Sequence, residues 1–188
     1  MGGALKKNKK YTYGEFLKIT NNMERAEFID GEIILQATPT LLHQNIIGNL
    51  LFEFKKYFNN KTCKAFIAPF DIILQKDDEE IKRVQPDLFV LCGEIDVTKN
   101  EFTGIPSLVV EVVSPSNASD DYIKKLNLYM KFGVKEYWIV SPKNKNVHVF
   151  VFNEETEVYN EPIIYYKEDI VKSSLFEGLS MDIKSIFD

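Results

Sequence analysis

Residues 108–113 read Leu-Val-Val-Glu-Val-Val, an apolar, mostly β-branched run broken by a single acid. A strand with one face in water alternates polar with apolar residues. This run does not, so it must be covered on both faces and lie in the middle of a sheet. The sequence on either side supplies the covering elements.

Upstream, residues 13–22 form a short helical pattern, and residues 26–36 turn at Asp30-Gly31 between two apolar stretches, as a hairpin does. Thr38-Pro39 offers a cap and a first-turn proline for a helix over residues 40–59. Its buried stripe is Ile46, Ile47, Leu50, Leu51, Phe54, Tyr57 and Phe58. The period then changes to strands at residues 64–68, 70–75 and 84–91, with a loop over 99–106. After the central run, residues 119–132 read as a helix that Gly133 caps. Strands follow at 136–140 and 147–152, and residues 154–188 are less periodic and wrap the edge. Helices interleaved with clustered strands describe a mixed β-sheet flanked by helices, of class α/β or α+β.

At 188 residues and 45% hydrophobic content the chain can bury one core but hardly two. We expect a disordered basic tail over residues 1–10, carrying Lys6, Lys7, Lys9 and Lys10, and a single domain over 11–188. Cys63 and Cys92 belong to no paired-cysteine motif, which argues against a disulfide framework or a zinc site and fits a reducing, cytoplasmic setting. No segment is apolar for long enough to cross a membrane. The net charge of −5 excludes a broad basic field for coating phosphates, so any polyanion must be held locally.

Three charges stand where apolar residues are expected. On the helix over 119–132, Lys125 falls in the arc of Tyr122, Ile123, Leu126, Leu128, Tyr129, Met130 and Phe132, opposite Asp120, Lys124, Asn127 and Lys131. A buried ammonium needs a partner. Two readings stay open: an ion pair with Asp121 one turn earlier, or acids on the strands. Glu111 is the acid in the central run, on the face of Val109 and Val113; it is either a ligand or a buried carboxyl satisfied by backbone donors or a tyrosine. Asp87 follows Pro86 at the head of an apolar strand, as a ligand or as a turn residue. Two carboxylates at neighbouring strand ends repel unless a cation lies between them. Mg2+, a hard ion that prefers oxygen, suits such a pair, with Mn2+ as a possible substitute. With a lysine close by, these are the groups that phosphodiester hydrolysis requires. His43, on the stripe of the long helix, is either a hydrogen-bonded core residue or a group reaching the same cleft. Asp71 and Glu32 are peripheral acids, and Trp138 is a core or interface residue rather than a base-stacking platform.

Pro86-Asp87, then Glu111 in an apolar strand, then a helix, resembles the PD-(D/E)XK nuclease superfamily. The customary lysine two residues past the second acid is absent, since position 113 is Val, and Lys125 would replace it from the following helix. That relocation, with IDGEI at 29–33, HQNIIGNL at 43–50, APFDIIL at 68–74, QPDLFV at 85–90, PSLVVEVVSPS at 106–116 and DYIKKLNLYMKFGVKEYWIV at 121–140, resembles the Uma-type restriction endonuclease branch. The resemblance implies a restriction-endonuclease-like fold, Asp87 and Glu111 as Mg2+ ligands, Lys125 as the catalytic lysine and DNA as substrate. It also implies a homodimer for double-strand cleavage. A scaffold that binds DNA or a protein without turnover is the alternative.

Overall fold

The structure is a computed structural model that describes residues 9–20, 25–76, 80–113 and 120–188, with side chains from residue 123 onward in the last stretch. In chain order come α1 (Tyr13–Ile19), β1 (Ala26–Ile29), β2 (Glu32–Leu35), α2 (Leu41–Tyr57), β3 (Lys64–Ile67), β4 (Asp71–Gln75) and β5 (Ile81–Val84). Next are β6 (Leu88–Leu91), β7 (Glu101–Thr103), β8 (Leu108–Val112), α3 (Asp120–Phe132), β9 (Glu136–Ser141) and β10 (Asn146–Asn153). The last elements are β11 (Val158–Tyr159), β12 (Ile163–Tyr165), β13 (Ile170–Lys172), β14 (Ser180–Asp182) and α4 (Ile183–Phe187). They group into two compact units. One takes the described parts of Met1–Thr38, Ala68–Gln85 and Thr98–Gly104; the other takes Pro39–Ile67, Pro86–Val97 and Ile105–Asp188.

In the first unit, Thr12 and Glu15 form a capping box that starts α1, each satisfying the other's backbone N–H. The turn between β1 and β2 sets Asp30 at φ 49° and Gly31 at φ 76°. Positive φ at both central positions gives the twist a tight hairpin needs, which is why Asp-Gly stands there. The sheet runs β2-β1-β5-β4-β7. Phe16, Ala26 and Phe28 are its core, with Tyr13 packed on both phenylalanine rings. Two of its buried charged groups have partners: Glu27 accepts the Gln85 N–H, and Lys82 meets Asp30. Lys9 and Lys10 pair with Glu15 and Glu32, while the rest of the expected tail lies outside the described residues.

The second unit is built on the strand order β11-β10-β9-β8-β6-β3, with β12 also pairing β10. β8 and β9 are parallel, joined through α3, and their neighbours are antiparallel, so this is a mixed sheet. Leu108, Val110 and Val112 of β8 point into the core that α2 covers, packed with Ile46, Leu50, Phe54, Trp138 and Val140. Every residue of β8 is buried, as the central run demands. Each fully enclosed aliphatic or aromatic side chain here contributes about 2 kcal/mol by leaving water. Gly133, at φ 73°, ends α3.

The structure corrects four expectations. The run read as one strand over 84–91 is two, because Pro86 has no N–H to continue the ladder and β5 and β6 pair with different partners. α2 is capped by Thr40 rather than by Thr38, and Pro39 stays outside the helix. The loop over 99–106 contains β7, paired in parallel with β4. Ile123, placed on the inward arc of α3, is 57% exposed.

A further correction concerns the cysteines, which are bonded as Cys63–Cys92. The pairing of Lys64 with Leu91 in β3 and β6 sets the two residues opposite each other one step beyond the ladder, a relation local sequence does not display. With both thiols bonded, the cysteines give no ground for a reducing compartment. The bond closes a loop spanning 29 residues. Replacing both cysteines by serine is expected to destabilise the fold by about 3 kcal/mol, lowering Tm by about 10 °C in calorimetry. An unchanged Tm would show that the staple does not constrain the unfolded chain.

Candidate functional site

Alternation along β8 turns Val109 and Glu111 away from α2 and toward α3. Lys125 and Tyr129 are four residues apart on α3, so they share one helix face. Both reach the same atom: Glu111 Oε1 accepts from Lys125 Nζ at 2.9 Å and from Tyr129 OH at 2.8 Å. Glu111 is 8% exposed and Tyr129 not at all. The Lys125 side chain is only 12% exposed, so its charge is held by this carboxylate rather than by bulk water.

Asp87 stands at the head of β6, immediately after Pro86. The pairing of Leu88 with Val110 brings it beside Glu111 across the ladder. Its Oδ2 accepts the Val112 N–H at 2.8 Å and meets His43 Nε2 at 3.1 Å. His43 lies in the first turn of α2, where its own N–H goes to the Thr40 side chain. The cap thus fixes the start of the helix that delivers the imidazole. Strands β6 and β8 and helices α2 and α3 therefore each contribute a polar group to one end of the sheet.

The peripheral acids have partners within the first unit. Asp71 belongs to the first unit, where its carboxylate is bound by Arg83 and by Gln85 Nε2. Glu32, in the same unit, accepts from Lys10 Nζ at 3.0 Å. The side chain of Asp121 lies outside the described residues, and Lys124 is exposed. Trp138 is wholly buried in the core of the second unit.

Among the described residues no three side chains of His, Cys, Asp or Glu are arranged as a metal cage. The strand register sets Asp87 and Glu111 opposite each other, and their carboxylate oxygens are of the kind Mg2+ takes, an ion that keeps several waters and accepts one or two protein carboxylates. Asp87 and Glu111 therefore fit that ion.

The tyrosine that the sequence offers as a partner for Glu111 is Tyr129, whereas the Val112 N–H on Asp87 has no signal in the sequence. The i, i+4 spacing of Lys125 and Tyr129 was the signal available for the first. The second depends on strand register, which no local pattern gives.

The sequence model of the Uma2 family, described as "Putative restriction endonuclease", matches residues 13–184. The chain belongs to this family. Two relatives from Synechocystis sp. (strain ATCC 27184 / PCC 6803 / Kazusa) are similar to this Uma2 member. "Uncharacterized protein slr1290" is 27% identical over 133 residues, 70% of this chain and 68% of that protein. "Uncharacterized protein sll1609" is 27% identical over 120 residues, 62% of this chain and 66% of that protein. Among solved structures, a crystal structure titled as "a putative nuclease belonging to DUF820" from Anabaena variabilis ATCC 29413 superposes with a TM-score of 0.76 at 22% identity. The match covers 94% of this Uma2 chain and 97% of that one. The fold is thus the restriction-endonuclease-like α/β fold, and the family is one of nucleases by its description.

Proposed function

We propose that this Uma2 protein is a Mg2+-dependent endonuclease that hydrolyses phosphodiester bonds of DNA, with Mn2+ able to substitute. One observation carries the reading: two buried acids on paired strands, Asp87 and Glu111, with the Lys125 ammonium on the second of them. A hard divalent ion between those carboxylates would polarise a phosphoryl oxygen and lower the pKa of bound water. The protein's own groups do the remaining work. His43 and the Val112 N–H hold Asp87 in place. Lys125, on a flexible stem, leaves Glu111 for a phosphoryl oxygen and offsets negative charge as it builds in the transition state. With a net charge of −5, DNA must be gripped by such local cations. The DNA substrate, rather than the cysteines, is the ground for a cytoplasmic setting, and two copies would pair so that two centres serve the two strands. Among the described residues no helix is long and apolar enough to cross a membrane.

The test is cleavage of supercoiled plasmid in Mg2+ by wild type and by Asp87→Ala, prepared in parallel. Wild type is expected to nick or linearise the plasmid, and the variant to lose roughly a thousandfold. Equal cutting by both would mean the site is wrong. The acidic net charge favours one rival, a nuclease-fold module that retains DNA or a protein without turnover. Its signature is DNA retention with no product in Mg2+ or Mn2+.

A further inference from the structure

Beside Glu111 lies a buried hydroxyl that the hydrolysis does not use. Tyr129 is fully enclosed, yet its hydroxyl is directed at Glu111 Oε1, 2.8 Å away. Its ring lies against Tyr137 of β9, with centroids 4.9 Å apart and planes tilted by 57°. Tyr137 in turn stacks on Phe150 and Tyr159. The hydroxyl is therefore placed by the aromatic packing between α3 and the sheet. Lys125, the other donor to the same oxygen, ends a chain of four methylenes with many rotamers.

The two donors thus differ in how freely they can leave. If Lys125 were the sole restraint on Glu111, its transfer to a substrate phosphate would release the carboxylate at the moment its orientation matters. We propose that Tyr129 is the positioning residue that holds the Glu111 carboxylate in its ligand orientation while Lys125 exchanges between that acid and the phosphate. The inference rests on the assignment of Glu111 as a ligand and adds to it. Outer partners of this kind orient a ligand without touching the ion, and their removal typically lowers metal affinity roughly 10–100-fold.

Mn2+ binding to the full-length protein, followed by titration calorimetry with no DNA present, provides a readout separate from turnover. Tyr129→Phe keeps the ring and its packing and is expected to raise the Mn2+ Kd about tenfold. Lys125→Met, which leaves the tyrosine in place, is expected to retain Mn2+ binding. A purely structural Tyr129 would shift Tm and leave the Kd unchanged. A wild-type Kd in Tyr129→Phe, with binding lost in Glu111→Gln, overturns this inference alone, as does an equal loss in Lys125→Met and Tyr129→Phe. Absence of Mn2+ binding by the wild type overturns the nuclease assignment together with it. Should Tyr129→Phe fail to fold, Tyr137→Leu replaces it, since it keeps the Tyr129 hydroxyl but removes the ring that places it. The Mn2+ Kd is then expected to rise severalfold, and a wild-type Kd in folded Tyr137→Leu rejects the proposal.

Discussion

Glu111→Gln is expected to remove divalent-ion binding and DNA cleavage together while leaving the chain folded. The amide matches the carboxylate in shape and keeps an oxygen for the Tyr129 hydroxyl, which now donates to Glu111 Oε1 at 2.8 Å. What it removes is charge. In the proposed site a hard cation would be left with one carboxylate of two, and the loss should exceed the roughly 10–100-fold that removal of an outer partner costs. The substitution also strips Lys125 of the acid it meets at 2.9 Å, on a side chain only 12% exposed. Loss of one charged partner by a largely buried ammonium destabilises a fold by up to about 3 kcal/mol. The measurements are Mn2+ calorimetry, plasmid cleavage and urea denaturation on one preparation. A folded Glu111→Gln protein that binds Mn2+ as the wild type does would remove Glu111 from the metal site.

How much of this could be read in the chain depends on the range of the interaction. Glu111 stands out because five apolar neighbours leave no other reading of residues 108–113, and the strand is buried throughout. The same locality places Gly133 at the end of α3 and the hairpin at Asp30-Gly31, where backbone conformation follows from one or two residues. Lys125 is legible as a charge on an apolar arc, but its bond to Glu111 is not, because the two meet only through the packing of α3 on β8. Pro86 suits a strand start, yet the apolar runs on either side of it look continuous until their partners are known. The disulfide and the Val112 N–H on Asp87 arise from register between strands distant in sequence. Residues 154–188 lacked a period because β11 to β14 have only two or three residues each and take their order from what they pair with.

Glu136 shows what local pattern conceals most completely, and its removal is expected to have the largest effect on stability. It opens β9 and is fully buried. Its Oε1 accepts from Trp138 Nε1 at 2.5 Å on the same face of the strand. Its Oε2 accepts from Ser173 Oγ at 3.1 Å and from the N–H groups of Ser174 and Leu175 at 2.8 and 2.7 Å. One carboxylate thus fastens the segment between β13 and β14 to the central sheet. Glu136→Ala leaves the indole N–H unpaired in the core and opens a cavity beside it, for a combined cost of about 4 kcal/mol. For a chain of this length that lowers Tm by about 8–16 °C. The cost should depend on pH, and its sign follows from burial. Burial raises the Glu136 carboxyl above its ordinary value of 4.5, although the four donors pull the other way. A raised folded value means that the stabilising contribution is complete below the ordinary carboxylate range and declines as pH climbs through the folded value. The gap between wild type and Glu136→Gln, which cannot titrate, should therefore be widest in mild acid and narrow toward neutral pH. Urea denaturation across that range measures it directly. A gap that widens with rising pH would mean that the donors, and not burial, govern this carboxylate.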